Sequence, residues 1–181
     1  MKSLNIAVVG FGLIGQRHCE IINNQKNINL SAIVENNLEK NFSNFNCKNY
    51  SSIKSMLSEH KPDGAIIASP SNMHVDHALE LIENDIPVLI EKPISHSLDN
   101  VEKLIKLAKN KSIPILVGHH RRYNEIITSA KKILDEGLIG NIRSAMSMCW
   151  FYKPDNYFDI APWRKKLGAG PISINLIHDL D

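Results

Sequence analysis

The feature that most constrains the fold of this chain is the stretch LNIAVVGFGLIG, residues 4–15. Its first residues are nearly all apolar, as is typical of a strand covered on both faces of a sheet. The strand leads directly into Gly10-x-Gly12-x-x-Gly15, whose glycines allow a tight turn and a close approach of the backbone to a pyrophosphate. The charge of such a group lies at the first amides of the next helix. We expect a side chain at Gly15 to push that helix off the sheet.

An isolated GxGxxG motif is a weak signal, because a glycine-rich turn also arises by chance. Here a predicted strand precedes the motif, and periodic apolar positions predict a helix over about residues 13–26. The motif therefore has the surroundings of a dinucleotide-binding turn, and we assign the residues between its glycines to the same site. These residues are Phe11, Leu13 and Ile14.

An acid follows at the distance that a dinucleotide site requires. A second apolar run ends at Glu35, about 20 residues beyond the motif, where an acid accepts hydrogen bonds from the adenosine ribose. Its negative charge would repel a 2′-phosphate, and Asn36 and Asn37 supply no cation to bind one. Glu35 could instead only cap a turn. Beside the glycine motif, however, the acid favours NAD over NADP as the cofactor.

The composition argues against several other classes of function. A length of 181 residues predicts one or two domains, and a formal net charge of +2 provides no basic surface for nucleic acid. Cys19, Cys47 and Cys149 have no metal-binding spacing and fit a reducing cytosol. No apolar run reaches transmembrane length, and glycines interrupt the N-terminal run. We expect a cytoplasmic protein that binds no nucleic acid, membrane or metal.

Strand-like apolar runs alternate with helical patterns as far as residue 118. Strands are predicted near residues 4–9, 30–34, 65–68, 86–90 and 114–118, and helices near residues 13–26, 51–57, 75–82 and 98–108. The polar stretch 36–49 is predicted to form a short helix and a loose connection. This alternation predicts the α/β class, with a Rossmann-type doubly wound parallel sheet over residues 1–120.

The loop after the third of these strands should touch the cofactor, because ligands bind at the carboxyl ends of the strands in such sheets. We assign Ser69, Pro70, Asn72 and His74 of this loop to the cofactor site. An equally good reading is that Ser71 or Asn72 only caps the following helix. His74 is expected to donate to the loop backbone, which is a structural role.

The fourth of these strands is followed by Glu91-Lys92-Pro93. A lysine between an acid and a proline, at the carboxyl end of a strand, does not resemble a solvated surface charge. Burial in the cofactor crevice would lower the pKa of Lys92, whereas Glu91 would oppose that change by favouring the charged form. We assign Glu91 and Lys92 to the cofactor site, and expect His96, in the next helix, to be exposed.

The character of the chain changes beyond residue 120. A helix is predicted to end at Gly137, and the alternating residues 141–151 predict a long half-exposed strand. An aromatic, proline-broken loop should cover residues 152–164, and a last helix should begin at Pro171. These pieces cannot form a closed core, so residues 121–181 are interpreted as the incomplete start of an α+β substrate domain of a longer protein.

The motifs of the chain occur in an order that resembles a known family. They are Gly10-x-Gly12-x-x-Gly15, Pro70-x-x-x-His74, Glu91-Lys92-Pro93, Gly118-His119-His120-Arg121-Arg122, Trp163-Arg164, and Gly168-x-Gly170 leading to His178-x-x-Asp181. This order resembles the Gfo/Idh/MocA oxidoreductases, which are the relatives of glucose–fructose oxidoreductase and inositol 2-dehydrogenase. The resemblance covers the whole chain, and Glu91-Lys92-Pro93 is its most specific part.

The resemblance implies NAD(P)-dependent hydride transfer at a CH–OH or carbonyl group of a sugar, polyol or cyclic alcohol. By the same resemblance, Lys92 is the catalytic lysine, and the Lys92–Pro93 bond is expected to be cis. His178 matches the family's histidine that exchanges a proton with the substrate oxygen. The full-length form is expected to be a homo-oligomer that acts on a small molecule.

One position departs from the family pattern. Many members carry an aspartate one helical turn before the histidine, where this chain has Ile174. Asn175 shares a helix face with His178 and is the third catalytic candidate, but it cannot be an anionic partner. Lys92 is therefore favoured as the general acid or base. Arg122, Tyr123 and Arg164 could hold the substrate or could equally be surface charges.

Two alternatives stay open from the sequence. Some relatives use bound NAD to cleave glycosidic bonds with no net redox change, and the chain could belong to that class. It could also be a non-catalytic nucleotide-binding protein, which the presence of both Lys92 and His178 disfavours.

Overall fold

A computed structural model describes residues 3–160, 162–165, 170 and 172–181 of the chain. The chain divides into two compact units, Met1–Gly118 and His119–Asp181. The division lies two residues before the boundary placed from the sequence. Each unit is described by itself.

The first unit is a six-stranded parallel sheet in the order β3-β2-β1-β4-β5-β6. Its strands are β1 (Leu4–Val9), β2 (Ile28–Val34), β3 (Lys48–Tyr50), β4 (Gly64–Ile67), β5 (Val88–Ile90) and β6 (Ile115–Val117). Its helices are α1 (Leu13–Asn23), α2 (Ile53–Glu59), α3 (His74–Glu83) and α4 (Leu98–Lys111), with a 3₁₀ turn at Ser71–Met73. The predicted Rossmann-type doubly wound parallel sheet is confirmed.

The sheet is covered on both faces, which explains the continuous apolar run at the start of the sequence. Ala7 and Val9 of β1 belong to one core cluster, and Val8 belongs to another with Phe11 and Cys19. Because successive side chains of a strand point to opposite faces, a strand between two cores needs apolar residues at every position.

The strand order places a crevice at the carboxyl end of β1. The chain first adds β2 and β3 on one side of β1, and then crosses over to add β4 on the other side. Val9 and Ile67 are paired at the ends of β1 and β4, so the loops that follow them begin side by side. This reversal of strand order is where ligands bind in open parallel sheets.

Two details of the first unit differ from the sequence prediction. Residues 36–47 contain turns rather than a short helix, and they lead into β3, which the sequence did not indicate. β3 is only three residues long, and Tyr50 is its one buried residue, so it has no apolar pattern. On α4 the predicted apolar face is narrower, because Leu98 is 81% exposed and Ile105 is 42% exposed.

The second unit contains α5 (Glu125–Asp135), α6 (Asp155–Asp159) and α7 (Ile177–Leu180). It also has 3₁₀ turns at His120–Tyr123 and Pro162–Lys165, and a π-helical turn at Ile172–Leu176. Gly137 has a φ of +69°, which suits the predicted end of the first helix. The predicted start of the last helix at Pro171, and Gly168 before it, lie outside the described residues.

The predicted strand at residues 141–151 is wrong for this structure, since none of these residues is in a strand. Its alternating side chains Ile142, Met146, Met148 and Trp150 are 64% to 89% exposed. Alternation of apolar and polar residues gives a segment one apolar face. A strand also needs backbone hydrogen bonds from a neighbouring strand, and none of the described residues provides them. The loop predicted over residues 152–164 contains the short helix α6.

Within the described part of the chain, no helix is both long enough and apolar enough to cross a membrane.

Candidate functional site

The turn after β1 is held tightly against the loop after β4. Gly10 has a φ of +95°, and its N–H donates to the carbonyl oxygen of Val34 at 2.8 Å. A Cβ at Gly10 would lie 2.6 Å from the backbone nitrogen of Ser69. A Cβ at Gly15 would lie 1.9 Å from the carbonyl oxygen of Gly10. Gly15 is thus required mainly by the turn itself, rather than by the sheet as predicted.

Gly12 has very different surroundings, because a Cβ there would meet no atom of the described part of the chain within 4 Å. It is the N-cap of α1, and no side chain caps this end of the helix. The adjoining Leu13 and Ile14 are 69% and 53% exposed. Packing within the chain therefore does not explain a glycine at residue 12. An open cradle at an uncapped helix N-terminus fits a pyrophosphate, whose oxygens accept from such amides.

Glu35 follows β2 directly and faces the same turn. Its Oε2 accepts the N–H of Phe11 at 2.9 Å and lies 2.6 Å from Nζ of Lys40, while Oε1 accepts the N–H of Asn37 at 3.2 Å. Burial raises the pKa of Glu35, but the hydrogen bonds of Lys40 and the two amides outweigh it and hold the pKa below its ordinary value. Asn36 and Asn37 carry no positive charge, but Lys40 does, and this corrects the expectation that no cation lies near Glu35.

Phe11 contributes its backbone rather than its side chain to this turn. The ring is 2% exposed and packs on the rings of Phe42 and Phe45, with centroids 4.8 and 5.6 Å away. The connection between β2 and β3 is thereby fixed against the glycine turn.

The loop after β4 is tied down by two histidines. The ring nitrogens of His74 lie 2.8 Å from the carbonyl oxygens of Ser69 and Pro93, so the ring contacts the loop backbone as expected. Burial lowers the pKa of His74, although the two carbonyl oxygens oppose this change. Oγ of Ser69 is hydrogen-bonded to Nδ1 of His77 at 2.9 Å.

The predicted capping roles of Ser71 and Asn72 are not seen. Neither the 3₁₀ turn after Pro70 nor α3 has a side-chain cap, because the turn runs directly into the helix. Ser71 instead is hydrogen-bonded through Oγ to Nε2 of the exposed His96 at 2.8 Å.

Glu91 and Lys92 lie at the carboxyl end of β5, and the Lys92–Pro93 bond is cis as expected. Nε2 of His18 donates to Oε1 of Glu91 at 2.9 Å, and the N–H of Lys92 donates to Oε2 at 3.3 Å. Burial raises the pKa of Glu91, but the hydrogen bond and charge of His18, the amide of Lys92 and the Lys92 charge outweigh it, so the net pKa lies below its ordinary value.

Gly118 lies close to the carboxylate of Glu91 and leaves it little space to move. A Cβ at Gly118, after β6, would lie 3.0 Å from Oε2 of Glu91.

Sequence reasoning missed three polar residues around the first-unit site: His18, Lys40 and His77. His18 has the helical spacing of the apolar positions of α1, so its contact with Glu91 has no sequence signal of its own. Lys40 lies beyond the two residues that directly follow Glu35, and a turn brings it back to the carboxylate. His77 carries no sequence signal beyond its position one turn after His74.

The second unit carries His178 on α7 and Asn175 in the π-helical turn before it. The predicted single α-helical face is therefore interrupted between them, because a π turn spaces residues differently from an α-helix. The ring centroid of His178 lies 4.8 Å from that of His120. Oδ1 of Asn175 lies 3.5 Å from Nζ of Lys153, and both residues line a pocket of about 370 Å³.

Ion pairs hold α7 and Asp181 to the 3₁₀ turn at His120–Tyr123. Arg121 pairs with Asp179, and the guanidinium of Arg122 binds both carboxylate oxygens of Asp181 at 2.6 and 2.8 Å. Arg164 donates to the carbonyl oxygen of Tyr157 at 2.6 Å. Arg122 and Arg164 thus have partners within the unit, and Tyr123 is 83% exposed. A shared site of Lys92 with His178 and Asn175 stays a prediction.

Comparison with known proteins agrees with this arrangement. A family model described as "Oxidoreductase family, NAD-binding Rossmann fold" matches residues 4–119. The chain is 26% identical to a 2,7-anhydro-N-acetylneuraminate hydratase of Escherichia coli (strain K12), over 98% of the chain and 48% of that protein. It is 24% identical to the rhizopine catabolism protein MocA of Rhizobium meliloti, over 100% of the chain and 56% of that protein.

Solved structures show the same fold. The WlbA dehydrogenase from Bordetella pertussis, in complex with NADH and UDP-GlcNAcA, matches with a TM-score of 0.88 at 22% identity, over 99% of the chain and 54% of that protein. The myo-inositol 2-dehydrogenase from Lactobacillus plantarum matches with a TM-score of 0.80 at 24% identity, over 98% and 54%. The chain spans about half the length of the curated relatives it matches.

Proposed function

The chain belongs to the Gfo/Idh/MocA oxidoreductase family, and from this premise we propose that it binds NAD and serves hydride transfer at a CH–OH or carbonyl group of a sugar, polyol or cyclic alcohol. The observation that carries the proposal is Gly12, with an open cradle at the uncapped N-terminus of α1. This cradle lies at the reversal of strand order, beside an ionised acid at the end of β2. These are the parts that a nicotinamide dinucleotide requires.

NAD supplies the hydride acceptor at nicotinamide C4 when it is bound. Oxidation of an alcohol also releases a proton from the hydroxyl oxygen, and we assign its removal to the amine of Lys92. In the reverse direction the ammonium of Lys92 returns a proton to the carbonyl oxygen. Glu91 is held by His18 and the backbone, so it supports the turn that carries Lys92. His178 and Asn175 are assigned to the substrate oxygen as hydrogen-bonding partners that orient it for this proton transfer.

NAD is favoured over NADP because Glu35 is anionic and only 10% exposed. Its remaining acceptor capacity suits a ribose hydroxyl and repels a 2′-phosphate. The scyllo-inositol 2-dehydrogenase of Bacillus subtilis, 23% identical over 93% of the chain, is named for NADP(+), so this preference belongs to the chain's own residues rather than to the family.

A second function keeps the cofactor but has no net redox change. It is favoured by the match over 98% of the chain to a protein named as a hydratase of an anhydro sugar. In such a reaction, transient oxidation would make a neighbouring bond labile, as in NAD-dependent glycosidases, and the same Lys92 would move the proton.

Incubation with NAD and a panel of sugars and polyols separates these functions. The assay uses the longest natural polypeptide that contains this chain, with the matched variants Lys92→Ala and Lys103→Ala. Steady accumulation of NADH supports the dehydrogenase, and product release without NADH supports the second function. Lys92→Ala should lower kcat by about 100-fold or more without weakening NADH binding, because it removes the proton-transfer group. Full activity of Lys92→Ala would contradict the mechanism.

We also propose a cytoplasmic location and a homo-oligomeric full-length form. The three cysteines of the chain are free, which suits a reducing compartment. The exposed alternating side chains of residues 142–150 suit the continuation of a sheet in a longer protein, where they would be covered.

A further inference from the structure

Lys40 takes a position at the nucleotide site that its place in the sequence does not suggest. Its Nζ lies 2.6 Å from Oε2 of Glu35 and 3.2 Å from the carbonyl oxygen of Phe11. The side chain of Lys40 is 35% exposed, whereas that of Glu35 is 10% exposed. Lys40 is therefore the outer member of the pair, and the one more open to a ligand.

The segment that carries Lys40 is fixed rather than loosely attached. Phe42 and Phe45 pack on Phe11, and the N–H of Asn37 donates to Glu35. Residues 36–39, directly after Glu35 in the chain, line an open surface hollow of about 640 Å³. The ammonium of Lys40 lies beside Glu35, at the end of β2 where the adenosine half of a dinucleotide would lie.

Glu35, Lys40 and Glu39 together carry a net charge of −1, whereas the two carboxylates alone would carry −2. Glu35 contributes one negative charge, Lys40 offsets it, and Glu39 adds a second carboxylate on the same segment. An ammonium binds phosphate as a point charge, and among the described residues that of Lys40 donates to Glu35 and to Phe11, which accounts for two of its three protons. A carboxylate that is already paired repels a phosphate less than a bare one does.

We propose that Lys40 is a specificity-determining residue of the nucleotide site, which weakens the exclusion of NADP by Glu35 and binds the 2′-phosphate once Glu35 is neutral. The inference rests on the proposed function. With Lys40 in this role, the chain distinguishes the two nucleotides only moderately, and NADH should bind no more than about tenfold more tightly than NADPH.

A double-mutant cycle tests this role. NADH and NADPH are titrated separately into the wild-type chain, Glu35→Gln, Lys40→Met and the double variant, with nucleotide fluorescence as the readout. Glu35→Gln should bind NADPH about tenfold more tightly than the wild type does. The double variant should bind NADPH less than about twofold more tightly than Lys40→Met does. Lys40→Met alone should weaken NADPH binding at least about threefold more than NADH binding.

Two controls make the readout specific. Lys111→Met removes another lysine–carboxylate pair, in which Nζ of Lys111, the last residue of α4, lies 2.5 Å from Oδ1 of Asp85. This variant should leave the ratio of NADH affinity to NADPH affinity unchanged. The increase in NADPH affinity caused by Glu35→Gln should also become smaller as the salt concentration rises, because it comes from a contact with a charged phosphate. Thermal unfolding of each variant shows that it is folded.

The outcomes distinguish this inference from the proposed function. NADH binding with an equal gain from Glu35→Gln in both lysine backgrounds would overturn the role of Lys40 and leave the proposed function standing. Wild-type exclusion of NADPH by far more than tenfold would also overturn the inference. A folded wild-type chain that binds neither nucleotide would overturn the proposed function, and the inference with it.

Discussion

Gly12 and Gly15 lie in the same turn but have opposite surroundings. A Cβ at Gly15 would overlap the carbonyl oxygen of Gly10, whereas a Cβ at Gly12 would meet no atom of the described residues within 4 Å. At the scale of single residues, the motif thus combines a glycine needed for folding with a glycine that we propose is needed for a ligand. Stability and binding measurements can separate the two.

Gly15→Ala should therefore destabilise the chain strongly. The clash is with the backbone of Gly10, which cannot move aside as a side chain would, and we expect a loss of about 3 kcal/mol or more in the free energy of unfolding. Gly12→Ala should change it by less than about 1 kcal/mol, because there is space for the methyl group. Urea unfolding of both variants checks this, and an unchanged midpoint for Gly15→Ala would contradict the described turn.

Glu91 gives a second prediction, for pH dependence. Its pKa in the folded chain is below the ordinary 4.5, so its stabilising contribution is complete above that value and is lost as the pH falls through the folded pKa. Wild type should exceed Glu91→Gln in stability by about 1 kcal/mol near pH 6, and the difference should shrink towards pH 3. Urea unfolding across this range measures it. A difference that grows with acidification would show that the carboxylate is not stabilised by His18.

At the scale of elements, the connection between β2 and β3 does more than link strands. Phe42 and Phe45 fix it against Phe11, and this packing holds Lys40 beside Glu35. Glu35 is in turn hydrogen-bonded to the N–H of Phe11, so the glycine turn and the connection form one contact network.

Phe42→Ala tests this network. Removing a half-buried aromatic ring should lower the free energy of unfolding by about 1 to 2 kcal/mol, and it should weaken NADH binding by loosening the acid at the end of β2. Calorimetric titration and thermal unfolding give the two readings. Ser43→Ala, next to it on the exposed side, serves as the control, and equal behaviour of the two variants would contradict a structural role for the Phe11 cluster.

Much of the fold could be predicted because most elements of the first unit carry their own local pattern. Asn5 is the one polar residue of the strand β1, and Ser52, a preferred N-cap residue type, caps α2. β3 could not be predicted, because its strand character comes only from pairing with β2. The prediction of a strand over residues 141–151 fails for the opposite reason. These residues have the pattern of a strand, but no neighbouring strand pairs with them in the described part of the chain.

The residues of the candidate site also divide into those that the sequence predicts and those that it does not. Gly10, Gly12 and Glu35 follow from motif spacing, because the shape of the dinucleotide fixes their distances along the chain. Lys92 follows from its place at the end of a strand and from the family resemblance. The contacts of His18 with Glu91 and of Lys40 with Glu35 depend on the helix α1 and a turn bringing distant residues together. Spacing rules do not specify such contacts.

At the scale of the whole molecule, every residue that we propose to bind the nucleotide lies in the first unit, Met1–Gly118. That unit has a complete sheet with helices on both faces, and it is the part that the family model matches. Cofactor binding should therefore be a property of this chain, whichever substrate the full-length protein uses.

Calorimetric titration of NADH into the wild-type chain and into Gly12→Val tests the central claim most directly. The wild type should bind one NADH per chain, and Gly12→Val should bind at least about tenfold more weakly with unchanged thermal unfolding, because its side chain fills the cradle. Asn24→Val, at the other end of α1, should bind like the wild type. Absence of saturable binding to the wild type, or unchanged affinity in Gly12→Val, would contradict a dinucleotide site at this turn.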